Sequence, residues 1–228
     1  MSQNHSKKIR VVLVDVDGTL IDTNDAHAHA WVAAFAESGK EVPFAAVRPL
    51  IGMGGDQLLP KVVGIEKDTE EGKAISDAWT RLFKERYLPT AQPFPGAADL
   101  LQRIHDQGIK IVAATSGEED LADALLDKVG VRDLLTARTS SADAKRSKPA
   151  PDLIEAALTK GGSTADEAIM LGDTPYDIEA AKAAGVGVIA FRCGGFPPVT
   201  LQGALAIYDD PADLLLHWDS SPLAKMSP

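Results

Sequence analysis

Two hydrophobic rhythms divide this chain. Ile9 and Val11-Val12-Leu13-Val14 form a nearly unbroken apolar run, strand-length and apolar enough to be buried on both faces of a sheet. Between residues 24 and 92 the spacing changes to that of amphipathic helices, with no strand signal. Asp25 is placed to cap a helix from Ala26 to Glu37, with Trp31, Val32 and Phe35 as its apolar stripe and Gly39 as its stop. Pro43 opens a short helix that ends near Ile51, and Asp56 to Val63 reads as a third. Asp68-Thr69-Glu70-Glu71 reads as a capping box opening a long helix to Tyr87, stopped by Pro89.

Pro93-Phe94-Pro95-Gly96 then punctuates the chain as a linker would. Beyond it, strands predicted at 109–114, 135–139, 168–171, 186–191 and 204–208 alternate with helices at 97–106, 118–128, 152–159, 176–184 and 212–218. Repeated βα units imply an α/β fold, a parallel sheet covered on both faces by helices. The insertion directly behind the first strand is wholly helical. No internal repeat is visible, and only the tail after Asp219 is of low complexity.

Composition narrows the class. At 228 residues the chain suits one large α/β domain, or a core carrying a smaller one. Its longest apolar runs are strand-length, so no membrane span is expected. The polar stretch from Met1 to Lys8 has no apolar centre, so no secretory signal is expected either. A single cysteine, Cys193, excludes an internal disulfide and fits a cytoplasmic location; it reads as a small buried apolar residue. The net charge of −10 argues against general nucleic-acid or anionic-membrane binding. An anionic ligand would need local cations or a metal. No heptads or large apolar helix faces stand out, so a monomer is expected.

The candidate chemistry gathers at strand ends. The first strand stops at Asp15, and Asp17-Gly18-Thr19 follows. Carboxylates just past the carboxyl end of a buried strand stand where open α/β sheets bind ligands, and two so close perturb each other's ionisation. An EF-hand loop is excluded: with Asp15 as its first position, the required twelfth-position glutamate is Ala26. A simple polar strand exit stays open on this stretch alone. The strand at 109–114 ends at Thr115-Ser116, where helix amides suit an anion, although Ser116 with Glu119 also makes a capping box. Glu118, Glu119 and Asp120 read as turned to solvent. Lys148, before Pro149, is either an anchored cation or a solvated one. Gly172-Asp173-Thr174-Pro175-Tyr176-Asp177 gives a sound helix start that accounts for Asp177 but not for Asp173.

Taken jointly, Asp15-Val16-Asp17-Gly18-Thr19, Thr115-Ser116, Lys148-Pro149 and Gly172-Asp173-Thr174-Pro175-Tyr176-Asp177 resemble the motifs of the haloacid dehalogenase superfamily in its phosphatase-type branch. The resemblance implies a Rossmann-like core, residues 1–22 and 93–228, with an inserted helical cap of the C1 type at 23–92. It implies Asp15 as nucleophile, forming an aspartyl-phosphate, and Asp17 as general acid and base. It implies Mg²⁺ held by Asp15, the Asp17 carbonyl and Asp173, with Asp177 in support. Thr115, Ser116 and Lys148 would hold the phosphoryl group. Such a cation is also what the charge requires, because each pair of like charges at about 4 Å costs about 4 kcal/mol at an effective dielectric of 20.

Departures from the family pattern narrow the chemistry. Asp17 favours phosphoryl transfer over C–halogen cleavage. The stretch Ile51-Gly52-Met53-Gly54-Gly55-Asp56 lacks the Schiff-base lysine of phosphonatases, and Lys61 is displaced from its place. β-Phosphoglucomutases, the alternative, share a histidine at the position of His27 and a match to Trp31. Gly55 stands where they carry an arginine, and Gly172 where they usually carry an acid. A non-catalytic receiver-like phospho-acceptor would need neither the length nor the insertion. The expectation is a Mg²⁺-dependent phosphatase for a small phosphorylated metabolite, similar to phosphoglycolate phosphatases. The Gly54-Gly55 loop and His27 would face the substrate, and Arg48 is a weaker contact candidate.

Overall fold

Every residue of strand β1 (Val11–Val14) is buried, because side chains alternate across a sheet whose two faces are both covered. Val12 and Val14 point into one core, and Val11 and Leu13 into another. In the computed structural model, which describes residues 8–225, β1 is central in a parallel sheet of six strands ordered β3-β2-β1-β4-β5-β6. The others are β2 (Lys110–Ala114), β3 (Ala137–Thr139), β4 (Ala168–Gly172), β5 (Gly187–Phe191) and β6 (Ala206–Tyr208). The chain leaves β1 outward in both directions. β1 and β4 therefore flank a topological switch point, where open α/β sheets form a crevice at their carboxyl ends.

Helices α1 (Asn24–Glu37), α2 (Phe44–Val47), α3 (Gly55–Val63) and α4 (Glu70–Arg86) fill the insertion behind β1. Trp31 and Phe35 of α1 and Phe83 of α4 belong to the same apolar core as Val12 and Val14. Helices α5 (Ala97–Asp106), α6 (Glu119–Val129), α7 (Asp152–Gly161), α8 (Pro175–Ala183) and α9 (Pro211–Leu216) cover the sheet, and α10 (Pro222–Lys225) follows. The segments entering and leaving the helical insertion lie side by side: Asp22 donates its N–H to the Gln92 carbonyl at 3.0 Å, and Phe94 donates to Leu20 at 2.9 Å.

Local chemistry corrects several expected boundaries. Helix α1 starts two residues earlier than expected, after Thr23, and no side-chain hydrogen bond caps it among the described residues. The Thr23 hydroxyl is donated to Asp17 instead, while Asp25 sits in the first turn and pairs with Arg48. Thr69 caps α4 alone, accepting from the Gly72 amide at 3.0 Å. The third helical position is that glycine, so no carboxylate completes a box. Ser116 does not cap α6; Glu118 occupies the cap position without a side-chain bond. The low-complexity tail contains α10. The N-terminal segment through Lys7 lies outside the described residues. None of the described helices is long and apolar enough to cross a membrane.

Candidate active site

The first turn beyond β1 is built to expose backbone and carboxylates. Leu20 donates back to the Val16 carbonyl at 2.9 Å, and Gly18 takes φ +75°, a left-handed conformation suited to glycine. A Cβ at Gly18 would collide with Asn24 Nδ2 and Asp173 Oδ2. Sheet pairing does the rest. Asp15 donates its N–H to Leu171 at 2.9 Å, so the end of β1 lies beside the end of β4, next to Asp173.

Four charged groups meet there, all withdrawn from water. Lys148 is 1% exposed, and Asp173 and Asp177 are 0% exposed. Lys148 Nζ reaches Asp15 Oδ1 at 2.8 Å and Asp177 Oδ1 at 2.7 Å. Asp177 Oδ2 accepts from the Thr174 hydroxyl at 2.7 Å and the Thr174 amide at 3.0 Å. Asp177 therefore completes the capping box of α8 and grips Lys148 as well. Asp173 Oδ1 accepts from the Thr19 hydroxyl at 2.7 Å, and its Oδ2 accepts from Asn24 Nδ2 at 2.8 Å. The structure thus brings Asp15, Lys148, Asp173 and Asp177 into one cluster, and Lys148 is not a solvated lysine.

Burial and crowding decide the ionisation. Burial, reinforced by the charges of Asp177 and Asp17 and opposed by Lys148, raises the Asp15 carboxyl to about 7. Burial, then the Asp177 and Asp15 charges, push Asp173 well above the carboxylate range despite its two donors. Carboxylate oxygens of Asp15, Asp173 and Asp177 all lie within 4.8 Å of one another. With one lysine among them, they form an oxygen-only donor set short of positive charge, which suits a hard divalent cation such as Mg²⁺. Asp177 contributes least to such a set, since both its oxygens are engaged by Lys148 and Thr174.

Asp17 lies apart from that cluster. Its Oδ1 receives the Thr23 hydroxyl at 2.6 Å and faces His27 Nε2 at 2.7 Å. Burial alone would raise its carboxyl, but His27 and Thr23 outweigh burial and hold it below the usual range. His27 is buried, stacked on Phe83 at 4.0 Å between ring centroids. A sequence-based view of His27 as a substrate contact omits this bond to Asp17, which the i to i+10 separation does not advertise.

Asp15, Asp17 and His27 open into a cavity of about 70 Å³. Thr115, Ser116, Gly54 and Gly55 also line it. Thr115 Oγ1 accepts from the Gly117 amide at 3.0 Å, and the buried Ser116 hydroxyl has no hydrogen-bond partner among the described residues. Glu118 lines the same cavity and is only half-exposed, a correction to its expected solvent orientation. Arg48 is committed elsewhere: it pairs with Asp25, donates to the Gly194 carbonyl at 2.6 Å and lies over the Phe196 ring. Cys193 is half-buried, its thiol donating to Gly18 at 3.4 Å, and burial followed by the Asp173 charge pushes the thiol well up. Sequence reasoning did not anticipate the bonds of Thr19 and Asn24 to Asp173; only the short step from the acid motif to Asn24 hints at its role.

Comparison with known proteins agrees with this architecture. Residues 12–191 match the model of the haloacid dehalogenase-like hydrolases, and the chain belongs to that family. It is 32% identical over 214 residues to a phosphoglycolate phosphatase of Rhodospirillum rubrum, covering 90% of this chain and 89% of that protein. A hydrolase from Pseudomonas syringae superposes with a TM-score of 0.86 at 29% identity, covering 92% of this chain and 98% of that one. CbbY from Rhodobacter sphaeroides, solved in complex with phosphate, superposes with a TM-score of 0.75 at 26% identity, covering 90% and 96%.

Proposed function

We propose that this chain is a Mg²⁺-dependent phosphatase that hydrolyses a small phosphorylated metabolite through an aspartyl-phosphate on Asp15, in the manner of phosphoglycolate phosphatases. The observation that carries the reading is the buried cluster of Asp15, Lys148 and Asp173 at the mouth of the switch point, with Asp17 held separately by His27. Similarity to a phosphoglycolate phosphatase over most of both chains supports the substrate class.

The residues divide the work by environment. Asp15 attacks phosphorus and Lys148 keeps it ionised while offsetting charge on the transferring group. Asp17 stands at the other side of the turn, where it protonates the leaving oxygen and later takes a proton from the attacking water. His27, bonded to Asp17, orients that carboxyl together with Thr23. Ser116, with its unpartnered hydroxyl, and the neighbouring amides receive phosphoryl oxygens. Asp15, Asp173 and the Asp17 carbonyl would hold Mg²⁺, with Asp177 supporting through Lys148 and the helix start. When bound, the ion supplies charge neutralisation at the phosphoryl oxygens. The helical segment 23–92 serves as the cap over the site, and residues 1–22 and 93–228 as the core. Similarity to a phosphoglycolate phosphatase over most of both chains favours the phosphatase over the mutase.

The test is phosphate release from a panel of small phosphate esters with Mg²⁺, with EDTA and with Asp15→Asn. Activity should vanish with EDTA and return with Mg²⁺, and Asp15→Asn should lose at least about 10³-fold in kcat. Wild-type turnover by Asp15→Asn would remove Asp15 as nucleophile. Conversion of glucose 1-phosphate to glucose 6-phosphate without phosphate release would favour the mutase.

A further inference from the structure

The wall of the cavity opposite the acids has its own chemistry. It comes from the helical insertion, where Trp31, Gly55, Lys67 and Trp79 line the space. Lys67 lies on the connection between α3 and α4, half-buried. It has no ion-pair or hydrogen-bond partner among the described residues, although Glu66 and Asp68 adjoin it in sequence on a chain of net charge −10. An amine left unpaired beside two acids, facing a cavity, is available to a ligand.

Gly55 makes room for it. A Cβ at residue 55 would meet the Trp31 ring at 3.4 Å and Lys67 Cδ at 3.7 Å. The lysine stem therefore lies in van der Waals range of the place where a side chain at 55 would project. The cation absent from residue 55 is supplied to the same cavity by residue 67. Trp79 adds a second donor: it stacks on Trp31 at 4.9 Å between centroids, and its indole N–H is buried without a hydrogen-bond partner among the described residues. An unpaired buried donor is costly unless a ligand supplies the acceptor. Glu118, on the core side of the cavity, would repel an anion placed near it, so an anion is favoured on the side of Lys67.

We propose that Lys67 is a specificity-determining residue that holds a second anionic group, a carboxylate on the alcohol portion of the phosphate ester, with the Trp79 N–H as its companion donor. This rests on the phosphatase reading and names the leaving group that the cap selects: a short phosphorylated carboxylic acid over a neutral phosphorylated alcohol.

The experiment compares wild type, Lys67→Met and Lys67→Arg on phosphoglycolate and on ethyl phosphate, both with Mg²⁺, with KM and kcat measured separately. Lys67→Met should raise KM for phosphoglycolate by about 10- to 100-fold, the loss expected for a hydrogen bond to a charged group. Its kcat at saturation, and its kcat/KM for ethyl phosphate, should stay within about threefold of wild type, as for loss of uniform binding. Lys67→Arg should recover most of the affinity. Equal losses on the two esters, or no change on phosphoglycolate, would overturn the assignment of Lys67 and leave the phosphatase reading standing. A wild-type protein that cleaves neither these esters nor an aryl phosphate would overturn both.

Discussion

Replacing Lys148 with methionine tests the electrostatic design of the site more directly than any loss of activity. The side chain is 1% exposed and bridges Asp15 and Asp177, and methionine keeps much of its bulk while removing the charge. Even with Lys148 in place, burial lifts the Asp15 carboxyl from 3.8 to about 7. At 1.36 kcal/mol per unit, ionising it in the metal-free protein costs on the order of 4 kcal/mol. Without Lys148 the folded-state value rises further. A carboxyl whose folded pKa is raised gives a contribution that is complete below the unfolded value and is lost as pH climbs through the folded one. The variant should therefore suffer most at pH 8, where the buried acids must ionise unpaired, and less at pH 5, where they keep their protons. Urea unfolding in EDTA, followed by circular dichroism, should give a loss of about 3–5 kcal/mol at pH 8, the range for breaking a buried pair, and a clearly smaller loss at pH 5. Saturating Mg²⁺ should restore part of the deficit at pH 8. A loss below about 1 kcal/mol at pH 8, or one identical at both pH values, would show that Lys148 does not neutralise buried carboxylates.

Two further substitutions address the ligand set. Asn24→Ala removes the donor to Asp173 Oδ2 and should weaken Mg²⁺ activation by about 10- to 100-fold, as for other groups that orient metal ligands; an unchanged Mg²⁺ titration would exclude that role. Gly18→Ala places a Cβ against Asn24 and Asp173 at φ +75°, and should cost about 1–3 kcal/mol in thermal or urea unfolding, with wild-type stability refuting the close approach.

Much of this molecule was legible before its coordinates. The parallel sheet follows from βα alternation, and the helical insertion from the absence of period-two patterning between 24 and 92. Helix α5 falls where its pattern and Gly108 place it, from Ala97 to Asp106. The capping residues were harder to read, because a side chain that suits one local bond can be claimed by a distant one. Thr23 was available to cap α1, yet its hydroxyl serves Asp17. Asn24, which carried no reading of its own in the sequence, donates to Asp173 at 2.8 Å, 149 positions away. Lys67 carried no signal, since a lysine among acids reads as a solvated charge until Gly55 and Trp31 are seen beside it.

The central position of β1 has a consequence for how this chain is made. β1 is synthesised well before its neighbours β2 and β4, which come from far later in the sequence. Until β4 emerges, one edge of an entirely apolar strand has no partner, and Asp15 has neither Lys148 nor the α8 start to hold it. Such non-local pairing folds slowly and leaves exposed strand edges prone to association. The helical insertion, the next segment of the chain, shares one apolar core with Val12 and Val14 through Trp31 and Phe35. A segment placed so soon after β1 in the sequence is thus positioned to act as an intramolecular shield for the nascent strand.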